Sequence, residues 1–192
     1  MMNLKYKVTF LDYWHTSSGL SAGARLDSSV VKDSDELPYL SGKTIKGLTR
    51  EMAELLGDCT FVNNCFGGSS NNGKNNREKD ICYDEKFKNK EGKLYFSNVS
   101  LEKEEKKEIV SNRLQNNLYA TLASTQIGSN GIAVDNSLRE IEVVIPITLY
   151  GEILDIDSQE DKEKLLKALK MIKRIGLNRN RGLGRCIIEE VK

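Results

Sequence analysis

The hydrophobic period of the chain switches between two residues and about 3.6 residues, and this alternation constrains the fold more than any other feature. Leu4, Tyr6, Val8 and Phe10 alternate with polar residues, which predicts a half-buried strand. Between 42 and 56 the apolar residues recur at steps of three and four, which is typical of a helix with one buried face. Those residues are Ile45, Leu48, Met52, Leu55 and Leu56. Strands and helices in alternation predict a mixed α and β domain.

Three further segments favour strands. Residues 93–99 form a short one, and residues 138–154 are the longest β-favouring stretch, dense in Ile and Val. Pro146 inside the second stretch suggests an edge position or a bulge, because proline lacks a backbone donor for the sheet. Residues 185–191 form the last strand.

A second helix has the clearest boundaries in the sequence. Ser158 is followed three residues later by Asp161, which is a capping-box arrangement, and Gly176 marks the end of the helical pattern. The elements therefore follow the order strand, helix, strand, strand, helix, strand. This order predicts an α+β fold with a ferredoxin-like or RRM-type βαββαβ core.

Charge is distributed unevenly, although the formal net charge is only +1. No acidic residue occurs from 168 to 188, a stretch rich in Lys and Arg. Because local charge sets the field within a Debye length of about 8–10 Å, this end of the chain can bind a polyanion. The sequence has neither a signal region nor an apolar run of the roughly 18–20 residues that span a membrane. We therefore expect a cytoplasmic protein with no membrane partner.

The chain contains four cysteines, and three of them raise the question of a metal site. Cys59, Cys65 and Cys82 are separated by five and sixteen residues, which is not a standard zinc spacing, and a fourth ligand is not evident. Zinc at these cysteines is the less favoured interpretation. We expect that they and Cys186 are reduced, independent thiols, as is usual in the cytoplasm.

Several segments, in a fixed order, carry a resemblance to a known family. They are 14–33, which starts Trp-His-Thr-Ser-Ser-Gly; 37–50, Leu-Pro-Tyr-Leu-Ser-Gly-Lys-Thr-Ile-Lys-Gly-Leu-Thr-Arg; 65–67, Cys-Phe-Gly, with 92–97 downstream; 125–142; and 179–185, Arg-Asn-Arg-Gly-Leu-Gly-Arg. Together they resemble the RAMP superfamily and, within it, the repeated backbone subunit of type III CRISPR effector complexes. The 37–50 block is the most specific part of the resemblance.

The resemblance implies an architecture and a set of partners. It implies one RAMP/RRM-like domain over 1–192, with an inserted loop region at 58–92 and a thumb-like insertion at 100–137. The implied partners are CRISPR RNA, complementary target RNA, other CRISPR effector subunits, and copies of the same chain along the RNA. It also implies cleavage of the target RNA that depends on a divalent cation such as Mg²⁺.

Two residues near the first strand are candidates for the chemistry. Asp27, in Asp-Ser-Ser-Val, matches the position of an aspartate that the family links to cleavage, and a carboxylate there could orient a 2′-hydroxyl or hold the cation. The alternative is an ordinary turn or capping aspartate. His15 is the only histidine, so a two-histidine acid/base mechanism is excluded. An RNA-contacting or loop-ordering role and simple packing remain open for His15.

The start of the first helix is a candidate phosphate site. Lys43, Lys46 and Arg50 share one helix face, and Gly42 precedes them where free backbone amides favour an anion. The alternative is a solvated polar face. A nucleotide-binding P-loop is excluded, because position 37, where that motif needs glycine, is leucine.

The other predicted RNA contacts are arginines in or beside glycine-containing loops. They are Arg139, Arg179, Arg181 and Arg185. The glycines expected to shape the loops are Gly19, Gly42, Gly67, Gly182 and Gly184. Glycine lets a backbone approach a ligand closely while arginines bind its phosphates. For residues 179–185 the alternative is a tight turn between helix and strand.

Three other functions are considered beside a subunit that cleaves target RNA. A scaffold that binds CRISPR RNA without nuclease activity keeps the same fold and the same RNA contacts. A repeat-processing endoribonuclease of the same superfamily is disfavoured, because such enzymes usually use a histidine in the first helix region and 42–56 contains none. A ferredoxin-like metabolite or metal-binding module would leave the basic C-terminal loop unexplained.

Overall fold

The computed structural model describes residues 2–17, 27–68, 82 and 90–191. Its strands are β1 (Met2–Phe10), β2 (Tyr95–Phe96), β3 (Tyr119–Ser124), β4 (Arg139–Val144), β5 (Thr148–Ile156) and β6 (Cys186–Glu190). Its helices are α1 (Gly42–Leu55), α2 (Cys59–Phe66), α3 (Lys103–Ser111) and α4 (Gln159–Met171). Short 3-10 turns span Gln115–Leu118 and Arg179–Arg181. No helix within these described ranges is long and apolar enough to cross a membrane.

Four strands form one antiparallel sheet in the order β2-β5-β1-β6. Helix α1 follows the first of its strands along the chain and α4 follows the third, which gives the predicted βαββαβ sequence of core elements. The first and third strands of that sequence, β1 and β5, lie at the centre. The predicted α+β fold with an antiparallel sheet is therefore confirmed.

The period-2 pattern of β1 places its apolar residues in the core. Leu4, Tyr6, Val8 and Phe10 are almost completely buried, and they lie on the sheet face that α4 contacts. Gly151 of β5 faces Tyr6, and a Cβ at this glycine would lie 2.8 Å from the tyrosine ring. Glycine is needed here because the ring occupies the space of a side chain.

The caps of the two core helices follow the sequence signals. The Ser41 hydroxyl accepts a hydrogen bond from the Lys43 amide at the start of α1. Ser158 accepts one from the Asp161 amide and donates one to the Asp161 carboxylate at the start of α4. These bonds satisfy amides that have no partner inside the helix. The predicted helix starts are confirmed.

The expectation that 58–92 is a loop region was wrong for its first residues. The region 58–92 contains helix α2, which begins with Asp58 as its cap and buries Phe61, Val62 and Phe66. The asparagine-rich composition of that region concealed these apolar residues at helical spacing. Within 100–137, the charged residues around 103–108 form part of α3, an exposed helix with no buried residue.

The long β-favouring segment 138–154 is also not one strand. Pro146 lies between β4 and β5, so that β4 pairs with β3 in a separate hairpin while β5 enters the main sheet. Proline cannot donate to a ladder, and here it separates two strands instead of forming a bulge within one. The hairpin, 119–144, therefore extends past the predicted end of the thumb-like insertion at residue 137.

The expectation of independent thiols was wrong for two cysteines. Cys59 at the start of α2 and Cys82 form a disulfide across a sequence separation of 23 residues. The buried Asn63 side chain also donates to the Cys82 carbonyl at 2.9 Å. Cys65 and Cys186 remain free thiols and are buried.

Candidate RNA interface

A polar groove lies between the base of the β3–β4 loop and the Arg179–Arg181 turn. Its volume is about 360 Å³. Its lining side chains are Ser124, Thr125, Gln126, Ser137, Arg139 and Arg181. Hydroxyls and an amide beside two guanidinium groups provide both neutral and charged donors, which is the combination that contacts sugar and phosphate oxygens.

The hairpin loop holds its polar side chains in place through its own hydrogen bonds. The Thr125 and Ser137 hydroxyls are 2.7 Å apart, and the Ser137 hydroxyl donates to the Val134 carbonyl at 2.6 Å. The Gln126 amide in turn donates to the Ser137 hydroxyl. This edge of the groove is therefore preorganised. Sequence reasoning identified the two arginines of the groove but not its hydroxyl and amide side chains, whose only signal is that they flank the two ends of a hairpin loop.

The Arg179–Arg181 turn presents its side chains to solvent. Arg179 and Arg181 are exposed, and the Arg174 guanidinium donates to the Arg179 carbonyl at 2.7 Å. Asn178 and Gly182, on either side of the turn, adopt left-handed backbone conformations with φ of 55° and 92°. The turn thus has a defined shape that directs exposed cations away from the core.

The glycines of this loop approach the protein itself. A Cβ at Gly184 would lie 2.0 Å from the Ile175 carbonyl oxygen, so this buried glycine allows two backbone segments to meet. An added Cβ at Gly182 would have no atom within 4 Å, so glycine is favoured there because the backbone φ is positive. Likewise, a Cβ at Gly42 would lie 2.2 Å from the Phe96 carbonyl. The expectation that these glycines admit a ligand backbone is replaced at Gly42 and Gly184 by close packing within the chain.

Gly67 and Gly19 complete the predicted loop glycines. Gly67 ends α2 with φ of 96°, and an added Cβ would lie 2.7 Å from the Lys90 carbonyl oxygen. It also accepts a hydrogen bond from Arg50 through its own carbonyl. Gly19 lies outside the described residues.

Asp27 lies beside the first residues of β4. Its amide donates to the Glu140 carbonyl at 2.9 Å, and its carboxylate accepts from the Glu140 amide at 2.8 Å. The residue is exposed, so the second carboxylate oxygen can be reached from solvent. Because Glu140 directly follows Arg139, the backbone places Asp27 next to the strand residue that enters the groove.

The segment after Asp27 is held against β4 by the Glu142 side chain. One Glu142 oxygen accepts from the Val30 amide at 3.0 Å, and the other accepts from the Lys32 ammonium at 2.9 Å. Lys32 also lies 4.0 Å above the centre of the Tyr119 ring on β3. These contacts attach the Asp27 segment to both strands of the hairpin.

His15 is completely buried. Its Nδ1 lies 2.6 Å from the Glu142 carbonyl oxygen and its Nε2 lies 3.0 Å from the Ser28 hydroxyl. Both ring nitrogens therefore have protein partners. Of the roles considered for His15, loop ordering is the one that this geometry supports.

The remaining predicted cations lie elsewhere. Helix α1 begins beside Phe96 at the β2 edge of the sheet, whereas the arginine turn precedes β6 at the opposite edge. Lys43 is exposed there and Lys46 is half-buried. Arg50 pairs with Glu54 at 2.7 Å and donates to the Gly67 carbonyl, so its guanidinium holds α1 and α2 together. Arg185 pairs with Asp12 at 3.1 Å.

The oxygen donors present fit a magnesium ion better than the sulfur donors fit zinc. Mg²⁺ is usually held by one or two carboxylates together with substrate phosphates and water. Asp27 offers an exposed carboxylate that is bonded to the Glu140 amide, one residue along β4 from Arg139 of the groove. The sulfurs of Cys59 and Cys82 are bonded to each other in the disulfide, so of the three candidate zinc ligands only Cys65 keeps a free thiol. Across residues 2–17, 27–68, 82 and 90–191, no group of three or more His, Cys, Asp or Glu is placed to hold a metal.

A second cavity, of about 270 Å³, differs from the groove in its charge. It lies between α2, the end of β5 and the start of α4, and it is lined by five carboxylates: Asp58, Asp155, Asp157, Glu160 and Asp161. Its two lysines, Lys93 and Lys164, are already paired with carboxylates of the same cavity. The net negative charge of this cavity disfavours a polyanion, in contrast to the arginine groove.

Comparison with known proteins agrees with the fold. The model of the RAMP superfamily matches residues 7–187. A chain in the cryo-EM structure of the Type III-B Cmr-beta bound to cognate target RNA superposes with a TM-score of 0.71, at 9% identity, over 99% of this chain and 97% of that one. A chain in the apo state of Type III-B Cmr-beta gives 0.70, at 11% identity, over 100% and 98%. No curated protein matches the sequence.

Proposed function

Because the chain belongs to the RAMP superfamily, we propose that it is a backbone subunit of a type III CRISPR RNA-guided effector complex. It binds CRISPR RNA and cleaves complementary target RNA with a divalent cation. The observation that carries this proposal is the groove that brings Arg139 and Arg181 together, with Asp27 attached to the adjacent residue of β4. Structural likeness to chains of a complex bound to target RNA supports it.

The binding step follows from the charge and donors of the groove. Arg139 and Arg181 neutralise phosphates, while the hydroxyls of Ser124, Thr125 and Ser137 contact sugar and phosphate oxygens. Contacts of this kind hold the RNA backbone without reading its sequence. A subunit that accepts any CRISPR RNA requires this property.

In the cleavage step, the solvent-accessible carboxylate of Asp27 acts on the bound target RNA. The Glu140 amide fixes one oxygen, and the other is free to orient the 2′-hydroxyl of the target or a cation bound to its phosphate. The Asp27 carboxylate would help to hold a divalent cation, which would supply charge stabilisation for the transition state of phosphate cleavage. Arg139, which lines the groove, directly precedes Glu140 in the chain, so its positive charge enters at the same end of β4 as the Asp27 contact.

The exposed β3–β4 hairpin serves as the thumb in this proposal. Four apolar residues of its loop region are exposed to solvent: Ile127, Ile132, Val134 and Leu138. Such side chains can insert between stretches of the guide–target duplex. Copies of the chain then repeat along the RNA through a heterologous interface that does not close into a ring.

Cleavage by the reconstituted complex tests the proposal. With saturating complementary RNA and Mg²⁺, Asp27→Asn is expected to lower the cleavage rate by at least about 100-fold while leaving RNA affinity within about twofold. Asp157→Asn is the matched control, because Asp157 lines the acidic cavity, where its ion pair with Lys93 is exposed to solvent. Equal cleavage by the Asp27 variant and the wild type would contradict the catalytic role.

A scaffold without nuclease activity is the second candidate. It is favoured by the hydrogen bond between Asp27 and the Glu140 amide, since capping a strand is a sufficient structural role for this side chain. In that case the Asp27 variant changes thermal stability and leaves the cleavage of target RNA to another subunit. RNA bound to the purified complex would be the same for both candidates.

A further inference from the structure

We propose that His15 is a positioning residue that connects the arginine turn to the Asp27 segment and so sets the place of the Asp27 carboxylate. This inference rests on the proposed function. It assigns to a buried histidine a role in the reaction without contact to RNA. The side chain of His15 binds β4 and Ser28, and its main-chain carbonyl binds the loop before the arginine turn.

The side chain of His15 binds β4 and the residue after Asp27 at the same time. The Glu142 carbonyl can only accept, so Nδ1 at 2.6 Å carries the hydrogen. In the neutral ring, Nε2 then accepts a hydrogen bond from the Ser28 hydroxyl at 3.0 Å. The ring is therefore a rigid bridge between the strand that bears Arg139 and the residue that follows Asp27.

The main chain of His15 binds the loop that leads to the arginine turn. Its carbonyl accepts from the Leu177 amide at 2.8 Å. A Cβ at Gly176 would lie 2.2 Å from the same carbonyl oxygen, so only glycine permits this approach. Gly184 donates to the Tyr13 carbonyl at 2.8 Å, which fixes the other end of the loop to the same segment.

Through these contacts His15 binds both the segment that carries Asp27 and the loop that carries the arginine turn. Residues 176 and 177 come directly before the turn that carries Arg179 and Arg181, and Ser28 comes directly after Asp27. A fully buried ring with both nitrogens bonded to protein atoms offers nothing to RNA. Its effect on cleavage therefore passes through Ser28.

The test uses variants that remove one half of the bridge. In His15→Asn the amide replaces the Nδ1 position and can still donate to Glu142, but it does not reach Ser28. Ser28→Ala removes the same bond from the other side. Thr16→Val is the matched control, because the Thr16 hydroxyl is buried beside His15 and has no hydrogen-bond partner among the described residues. All variants are measured in the assembled complex with saturating target RNA.

We expect His15→Asn and Ser28→Ala each to lower the cleavage rate by about 10- to 100-fold and to raise the half-saturating Mg²⁺ concentration. RNA affinity should stay within about twofold of the wild type. The double variant should be no slower than the slower single variant, because both changes break the same bond. Thr16→Val should cleave at the wild-type rate.

Weaker RNA binding with an unchanged rate at saturation, or losses that multiply in the double variant, would overturn the positioning role alone. Wild-type cleavage by His15→Asn and Ser28→Ala, with Asp27→Asn inactive, would do the same. An active Asp27→Asn variant would instead refute the proposed function, and this inference with it. If His15→Asn does not fold, Ser28→Ala decides, since Ser28 lies at the edge of the core.

Discussion

Arg139 and Arg181 show at the residue scale how the proposed binding surface depends on tertiary structure. They belong to segments about 40 residues apart, and each was predicted to contact RNA from its own motif. Their meeting in one groove depends on where the hairpin lies relative to the α4–β6 loop. A sequence pattern carries no information about that distance.

Replacing either arginine tests the groove. Arg139→Ala and Arg181→Ala are each expected to weaken RNA binding equally for all sequences and to reduce the slope of log affinity against log salt by about 1. The reason is that each guanidinium releases about one counterion from a phosphate. Lys5→Ala, an exposed cation on β1, is the control and should leave the slope unchanged. Unchanged slopes in both arginine variants would place the RNA elsewhere.

The other residue roles were predictable to different degrees. Asp27 was identified by its position in a motif, but the Glu140 amide that orients it comes from a distant strand. Arg50 shares a helix face with Lys43 and Lys46, yet the structure uses it to bind the Gly67 carbonyl. Spacing on a helix defines a face, while the neighbour of that face is set by the rest of the fold.

At the scale of elements, the disulfide and the buried thiols make a joint prediction. Burial raises the pKa of Cys65 to about 12, with nearby carboxylates adding to the shift, and burial raises the pKa of Cys186 to about 12. Neither thiol should react with a thiol reagent in the folded protein. After denaturation without reductant two thiols should react, and after reduction four.

Reduction should also lower thermal stability. Closing a loop of 23 residues restricts the unfolded chain by about 3 kcal/mol, which corresponds to roughly 6–12 °C in Tm for a chain of this size. Calorimetry with and without reductant measures this, and Cys186→Ala provides a variant that retains the disulfide. Four reactive thiols in the unreduced, denatured protein would show that the disulfide is absent.

Helix α3 is attached to the loop after β1 through charge, which gives a pH prediction. Burial tends to raise the pKa of Asp33, but hydrogen bonds from Lys106, Leu37 and Asp35 outweigh it and lower the pKa. The folded state then binds fewer protons than the unfolded state, so this stability is present above pH about 4 and is lost as the pH falls further.

Asp33→Asn should therefore be less stable than the wild type by about 1 kcal/mol at neutral pH. The difference should shrink as the pH falls below about 4, where the wild-type carboxylate is protonated. Urea unfolding at several pH values measures it. A difference that is constant from pH 7 to pH 2 would mean that the aspartate charge does not contribute.

Elements with strong periodicity were predictable, and those that depend on neighbours were not. The caps of α1 and α4 and the alternation in β1 are local signals, and the structure reproduces them. Helix α2 is short, and it is stabilised by packing of Phe61 and Phe66, whose ring centroids lie 6.2 Å apart. The separation of two strands at Pro146 could not be predicted without knowing that β4 pairs with β3 outside the main sheet.

At the scale of the whole molecule, the order of elements in the chain sufficed to predict the core. The preference for right-handed crossovers leaves few ways to arrange two βαβ units, and the observed order β2-β5-β1-β6 is one of them. The hairpin β3–β4 lies outside that sheet, and its exposed apolar loop has no partner in the core cluster. A surface that contributes so little to folding is available for assembly.

The hairpin loop gives the last prediction. Ile132 and Leu138 are 66% and 64% exposed, so replacing either with Ser should change the unfolding free energy by less than about 0.5 kcal/mol. If these side chains insert into the guide–target duplex, the double variant should still bind CRISPR RNA but cleave target RNA at least about tenfold more slowly. Leu55→Ser, at a residue 61% exposed on α1, is the matched control and should cleave normally. Normal cleavage by the hairpin variant would show that the thumb acts without these apolar contacts, and a large loss of stability would show that the loop packs against the protein.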